Sequence, residues 1–139
     1  MVVGIVMNVL KTYVNTQNMD GEILMAAEKQ FESKVKKFLN DEGCWNVKFF
    51  ANAYTKSGIP DVLCNVNGYF VAVEVKAPNG KPSELQKMNV RKINEGNGYA
   101  VILYPDQFED FKEMIRSLNG DHARSAWIIR NEINERWDK

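Results

Sequence analysis

The chain has 139 residues, with 18 Lys and Arg against 18 Asp and Glu, one histidine, two cysteines and 45% hydrophobic residues. That size and balance fit one globular domain with a proper core. They exclude a globally basic nucleic-acid binder, a zinc site built on several His and Cys, and, with no apolar run near the roughly 18 residues needed, a membrane-spanning helix.

The opening "MVVGIVMNVL" is apolar but lacks a basic start and a small-residue cleavage site, so no signal peptide is expected. "GIVMNVLKTYV" fits a strand or a short helix, and "NTQNMDG" reads as a loop. From about Glu22 to Glu42 the pattern is helical, with Phe31, Val35, Phe38 and Leu39 as the apolar stripe. Lys29, Lys36 and Lys37 lie away from it, and Gly43 stops the helix. "CWNVKFFANAY" reads as a strand and "TKSG" as a loop. Cys44 and Cys64, without CxxC spacing, read as reduced core residues, which suits a cytosolic compartment.

"IPDVLCNVNGYFVAVEVK" is a hairpin closed by Asn67-Gly68, the pair that favours a two-residue type I′ turn. That turn sets Val66 against Tyr69, Leu63 against Ala72 and Asp61 against Glu74. Ser83 with Gln86 forms a capping box for a helix that turns Leu85, Met88 and Ile93 inward and ends at Gly96. "YAVILY" is a buried strand. "PDQFEDFKEMIRSLNG" is an amphipathic helix with Phe108, Phe111, Ile115 and Leu118 on one face. A last helix runs from about Asp121 to Trp137, with Ile129, Ile133 and Trp137 at a spacing of four and His122 solvated near its start. Helices flanking a small mixed sheet make the fold class α/β.

Strand alternation places Val71, Val73 and Val75 on one face and Ala72, Glu74 and Lys76 on the other, with Asp61 opposite Glu74. Two ionised carboxylates in cross-strand register repel, so a positive group belongs between them. Lys76 is one candidate; a hard divalent cation such as Mg²⁺ or Mn²⁺ is the other. Glu32, on the inward stripe of the first helix, is a third acid, with Glu28 one turn earlier as its rival. Between Glu28 and Lys92 there are 11 Lys and Arg against 7 Asp and Glu, and 7 against 11 in the flanks, so the middle of the chain is modestly basic.

"GIPDVL" followed by "AVEVK" resembles the PD-(D/E)XK nuclease superfamily. More narrowly, "ESKVKKFLNDEGCW", "SGIPDVLCNVNGYFVAVEVKAPNGKPSELQ" and "INEGNGYAVIL" resemble its VRR-NUC branch, small stand-alone proteins common in phages and their bacterial hosts. The resemblance covers about Glu28 to Leu118. It implies a restriction-endonuclease-like core at 25–120, with 1–24 as an extension of unclear structure and 121–139 as a helix appended to the same domain. Met25, just before "AAEKQFE", is a candidate for the physiological start.

The resemblance further implies that Asp61 and Glu74 are metal-binding carboxylates, that the Val75 carbonyl joins them, and that Lys76 is the motif lysine. Gln86 matches a glutamine carried on the helix after the hairpin. The spacing to Val35, Leu39 and Gly43 favours Glu32 over Glu28 as the first-helix acid. The expected activity is a Mg²⁺- or Mn²⁺-dependent endodeoxyribonuclease of the cytoplasm, structure-specific, nicking DNA or cutting branched or junction DNA in replication, recombination or repair. Lys56, Ser57, Lys81, Lys87 and Arg91 are candidate DNA contacts. Two cuts at a junction call for two sites, hence an expected homodimer. The competing expectations are a non-catalytic DNA-binding or scaffold module, and a dimerisation domain built on Trp127 and Trp137.

Overall fold

The structure, a computed structural model, describes the backbone of residues 2–52 and 55–139, and the side chains of those from residue 21 onward. Helix α1 spans Val2–Asp41. It runs straight through the segment "NTQNMDG" and begins well before Glu22, against the loop expected there. No proline interrupts this stretch, and a single Gly costs a helix only about 1 kcal/mol. Phe31, Val35, Phe38 and Leu39 are buried as the stripe predicts. The helix closes in a Schellman motif: Gly43, at φ 76°, donates its N–H to the Asn40 carbonyl, and Cys44 donates to that of Leu39.

Strand β1 is only Trp45–Lys48. The longer strand expected to Tyr54 is not formed, and its last two residues lie outside those described. The partner strand accounts for the early stop: β2 is Val62–Val66, and Lys48 already faces Val62. One further bond, Phe49 N–H to the Asp61 carbonyl at 2.7 Å, ties the chain to the residue that precedes β2. β3, Tyr69–Val75, pairs antiparallel with β2 in the register that the turn dictates, Val66 to Tyr69 and Leu63 to Ala72. Asn67 and Gly68 take φ of 51° and 86°, the left-handed pair of a type I′ turn.

β4, Tyr99–Leu103, runs parallel to β3, giving a mixed sheet in the order β1-β2-β3-β4. Val71, Val73 and Val75 join the larger core with residues of α1, α3 (Phe108–Asn119) and α4 (Ala123–Asn134). Ala72 packs on the other face with Val90, Ala100, Ile102 and Tyr104, beneath α2 (Glu84–Glu95). The α/β architecture is therefore as predicted, down to which valines face which layer.

The helices α2 and α4 differ from expectation, and the face of α3 does not. In α2 the buried residues are Asn89 and Val90, while Leu85 is half exposed. The loop before Asp61 explains this: a Cβ on Gly58 would come within 2.9 Å of the Leu85 backbone and Cβ, so the loop presses on this edge of the helix instead of the sheet. Asn89 donates to the Ser57 carbonyl at 3.1 Å and holds the same loop. In α3, Phe111, Ile115 and Leu118 are buried with Met114, and Phe108 sits edge-on to Phe31 and Phe38. α4 starts at Ala123 and ends at Asn134, so Trp137 lies past the helix and packs on the smaller core cluster, while Ile133 is buried and Trp127 is half exposed.

The free edge of β4 is closed by side chains. Asn94 exchanges two hydrogen bonds with the Ala100 N–H and carbonyl, at 2.7 and 2.9 Å. Asn134 donates to the same carbonyl and accepts from the Ile102 N–H at 3.3 Å. Buried backbone groups that have no fifth strand to bond thus find amide partners. Among the described residues, no helix is long and apolar enough to cross a membrane.

Candidate active site

Asp61 directly precedes β2 and Glu74 is the penultimate residue of β3, so the register brings both to one end of the hairpin. They are joined by crossed hydrogen bonds. The Asp61 N–H donates to Glu74 Oε2 at 3.2 Å, and the Val75 N–H donates to Asp61 Oδ2 at 3.2 Å. Side-chain oxygens thereby continue the ladder one step beyond Val62–Val73 and fix both carboxylates. Glu74 is 3% exposed. Burial and the adjacent Asp61 charge push its carboxyl up to about 8, with Lys76 and the Asp61 N–H pulling the other way.

Two side chains compensate that buried acid. Lys76 Nζ lies 3.5 Å from Glu74 Oε1. Gln86 Nε2 donates to the same oxygen at 2.5 Å. Gln86 also completes the capping box of α2: its Oε1 accepts from Ser83 N–H at 2.9 Å, and its own N–H donates to Ser83 Oγ at 3.1 Å. Gln86 thus caps α2 and bonds Glu74 through one amide, and the cap aims that amide at Glu74.

From the other side α1 brings Glu32, paired with Lys48, whose Nζ is also 3.5 Å from Asp61 Oδ1. Burial alone would lower the Lys48 pKa, but the bond to Glu32 and the charges of Asp61 and Glu32 outweigh it and hold it above the usual value. Glu28, one turn earlier, lines the same cleft, and its carboxyl is raised chiefly by burial; Asp61 and Glu32 add to the rise and Lys76 and Lys48 oppose it.

The cleft has a volume of about 520 Å³. It is lined by Asp61, Glu74, Val75, Lys76, Glu32 and Gln86, so every predicted catalytic and metal residue meets there. Both rivals for the first-helix acid reach it. Among the described residues, no three of Asp, Glu, His and Cys converge into a ready ligand cluster; Lys48 sits between Glu32 and Asp61.

The five predicted DNA contacts do not line this cleft. Lys56, Ser57 and Lys81 are exposed in loops. Lys87 pairs with Glu84 at 3.1 Å, and Arg91 forks onto Asp138 beside the Trp137 ring. The cleft walls instead carry Lys29, Ser33 and Lys36 of α1, with Lys48 and Phe50 from β1 and the residues after it. Lys48 escaped the sequence reading. The sequence shows a lysine in the strand before the hairpin, but not the register that puts it beside the residue after Asp61.

The donor set fits a hard divalent cation. Asp61 and Glu74 offer oxygen only, and burial with the neighbouring Asp61 charge pushes the Glu74 carboxyl up to about 8, a penalty on its ionised form that a bound cation would offset.

The sequence model of one protein family, described as archaeal Holliday junction resolvase (Hjc), matches residues 25–100. This span runs from the acids of α1 through the hairpin and α2 into β4. No curated protein and no solved structure matches the chain.

Proposed function

We propose, from the premise that the chain belongs to the archaeal Holliday junction resolvase family, a branch of the PD-(D/E)XK nuclease superfamily, that it is a metal-dependent endonuclease cutting branched DNA. The observation that carries this reading is the meeting of Asp61, Glu74, Lys76 and Gln86 in one cleft inside the matched span. The narrower likeness to the VRR-NUC branch and to phage proteins rests on the quoted motifs alone.

Asp61, Glu74 and the Val75 carbonyl are the proposed metal ligands, with Glu32 as the first-helix acid once Lys48 yields it. When bound there, Mg²⁺ or Mn²⁺ supplies an acidified water and positive charge for the phosphodiester. Lys76, held by Glu74, orients the attacking water or offsets phosphate charge. Gln86 fixes the Glu74 carboxylate so that Oε2 stays on Asp61. Lys56, Ser57 and Lys81 remain exposed for phosphate contacts outside the cleft. Cutting two opposed strands of a junction calls for two such clefts, so the working unit is proposed to be a homodimer.

The test is a panel of four-way, flapped and linear DNAs with strand-specific labels, incubated with Mg²⁺ or Mn²⁺. Paired cuts in the four-way substrate, absent for Asp61→Ala, are expected. Equal nicking by wild type and Asp61→Ala sinks the reading.

A further inference from the structure

We propose that Phe50 stacks on an unpaired base of the strand held in the cleft, and so favours branched over fully paired DNA. This deepens the nuclease reading and rests on it. Phe50 is 76% exposed, the highest value among the exposed large hydrophobic side chains of the described residues. A ring so placed gains nothing from the core, where Phe31, Phe38 and Phe111 are buried. Its position is nevertheless controlled. The preceding residue is bonded to the Asp61 carbonyl at 2.7 Å, and Phe50 itself lines the cleft that holds the carboxylate pair. Lys48 Nζ is 6.0 Å from its centroid.

The α1 residues of the same cleft have the complementary chemistry. Lys29, Ser33 and Lys36 recur at i, i+4 and i+7 on one face of α1 and line the cleft. Neither lysine is ion-paired among the described residues. A cationic, hydroxyl-bearing helix face and a solvated aromatic ring in one cleft suit a polynucleotide strand, the cations taking phosphates and the ring a base π-face. Paired bases in a linear duplex are stacked on each other and have no free face to offer. Bases at a branch point unstack at lower cost, so the ring discriminates in favour of branched DNA.

The experiment uses the full chain with Asp61→Asn to arrest cleavage. It compares binding of a four-way junction carrying 2-aminopurine at the branch point with binding of a linear duplex of the same sequence. Quenching of 2-aminopurine on junction binding is expected. Adding Phe50→Ala should reduce the quenching and lower the junction-to-duplex affinity ratio by about 5- to 100-fold, the range of one base–aromatic stack. Phe50→Trp should restore both and Phe50→Leu neither. An unchanged ratio, or full rescue by leucine, overturns the inference while junction cleavage by the wild type keeps the nuclease reading. A wild type that neither binds nor cuts the junction overturns both.

Discussion

Gln86 donates from Nε2 to Glu74 Oε1 at 2.5 Å while its Oε1 accepts the Ser83 N–H, so one amide both caps α2 and holds a buried acid. The two roles separate by substitution. Ser83→Ala removes a cap and should cost about 1 kcal/mol of stability with little loss of cleavage. Gln86→Glu keeps an acceptor for the cap but places a carboxylate against Glu74. It should cost cleavage far more than Ser83→Ala does at comparable stability, and urea melts beside initial rates decide it.

Glu74 makes the metal-free protein pH-sensitive. Its carboxyl is raised from 4.5 to about 8 in the folded state, so between these values the folded chain holds a proton that the unfolded chain has released. Stability should therefore fall as pH rises from about 4.5 to 8, by about 1.4 kcal/mol per unit at most from this group. Below that window its destabilisation is absent, and above it fully present. Glu74→Gln should flatten the thermal midpoint across the window. Because a ligand carboxylate must be ionised, Mn²⁺ should bind more tightly as pH rises through 8, as calorimetry would report.

Asp61 contributes to that rise through its charge. Asp61→Asn keeps an oxygen to accept the Val75 N–H but removes the charge. The metal-free variant should melt higher than wild type at pH 8 and above, and gain nothing on adding Mg²⁺. A lower midpoint at that pH shows instead that the bond to Lys48 outweighs the repulsion.

Gly58 combines a φ of 76° with a close approach to Leu85. Gly58→Ala should destabilise the chain by a few kcal/mol, since both a left-handed residue and a contact below 3 Å oppose the added methyl. The loop leads through Pro60 to Asp61, so cleavage should fall more than global stability does. Equal losses in both would leave the loop with a packing role alone.

The hairpin and its carboxylates were legible because Asn67-Gly68 admits one register and strand alternation does the rest. Gln86 is legible as a cap, and its place in the cleft follows from that cap. Leu85 departs from the helical periodicity because its environment is a loop 27 positions away, whose approach depends on Gly58 and leaves no periodic trace. Lys48 was missed for a related reason: its meaning comes from the pairing of β1 with β2, and β1 carries no turn signal that fixes this pairing in advance. The continuous α1 was hidden by "NTQNMDG", whose composition suits a loop but contains nothing that breaks a helix.

The amides of Asn94 and Asn134 have a bearing on aggregation. By occupying the outward N–H and carbonyl groups of Ala100 and Ile102 they leave β4 unable to template another chain, so fibril-like growth of this sheet can proceed only from the β1 side. Losing either asparagine would convert a sealed margin into an adhesive one and shorten the shelf life of the protein before it altered the acidic cleft.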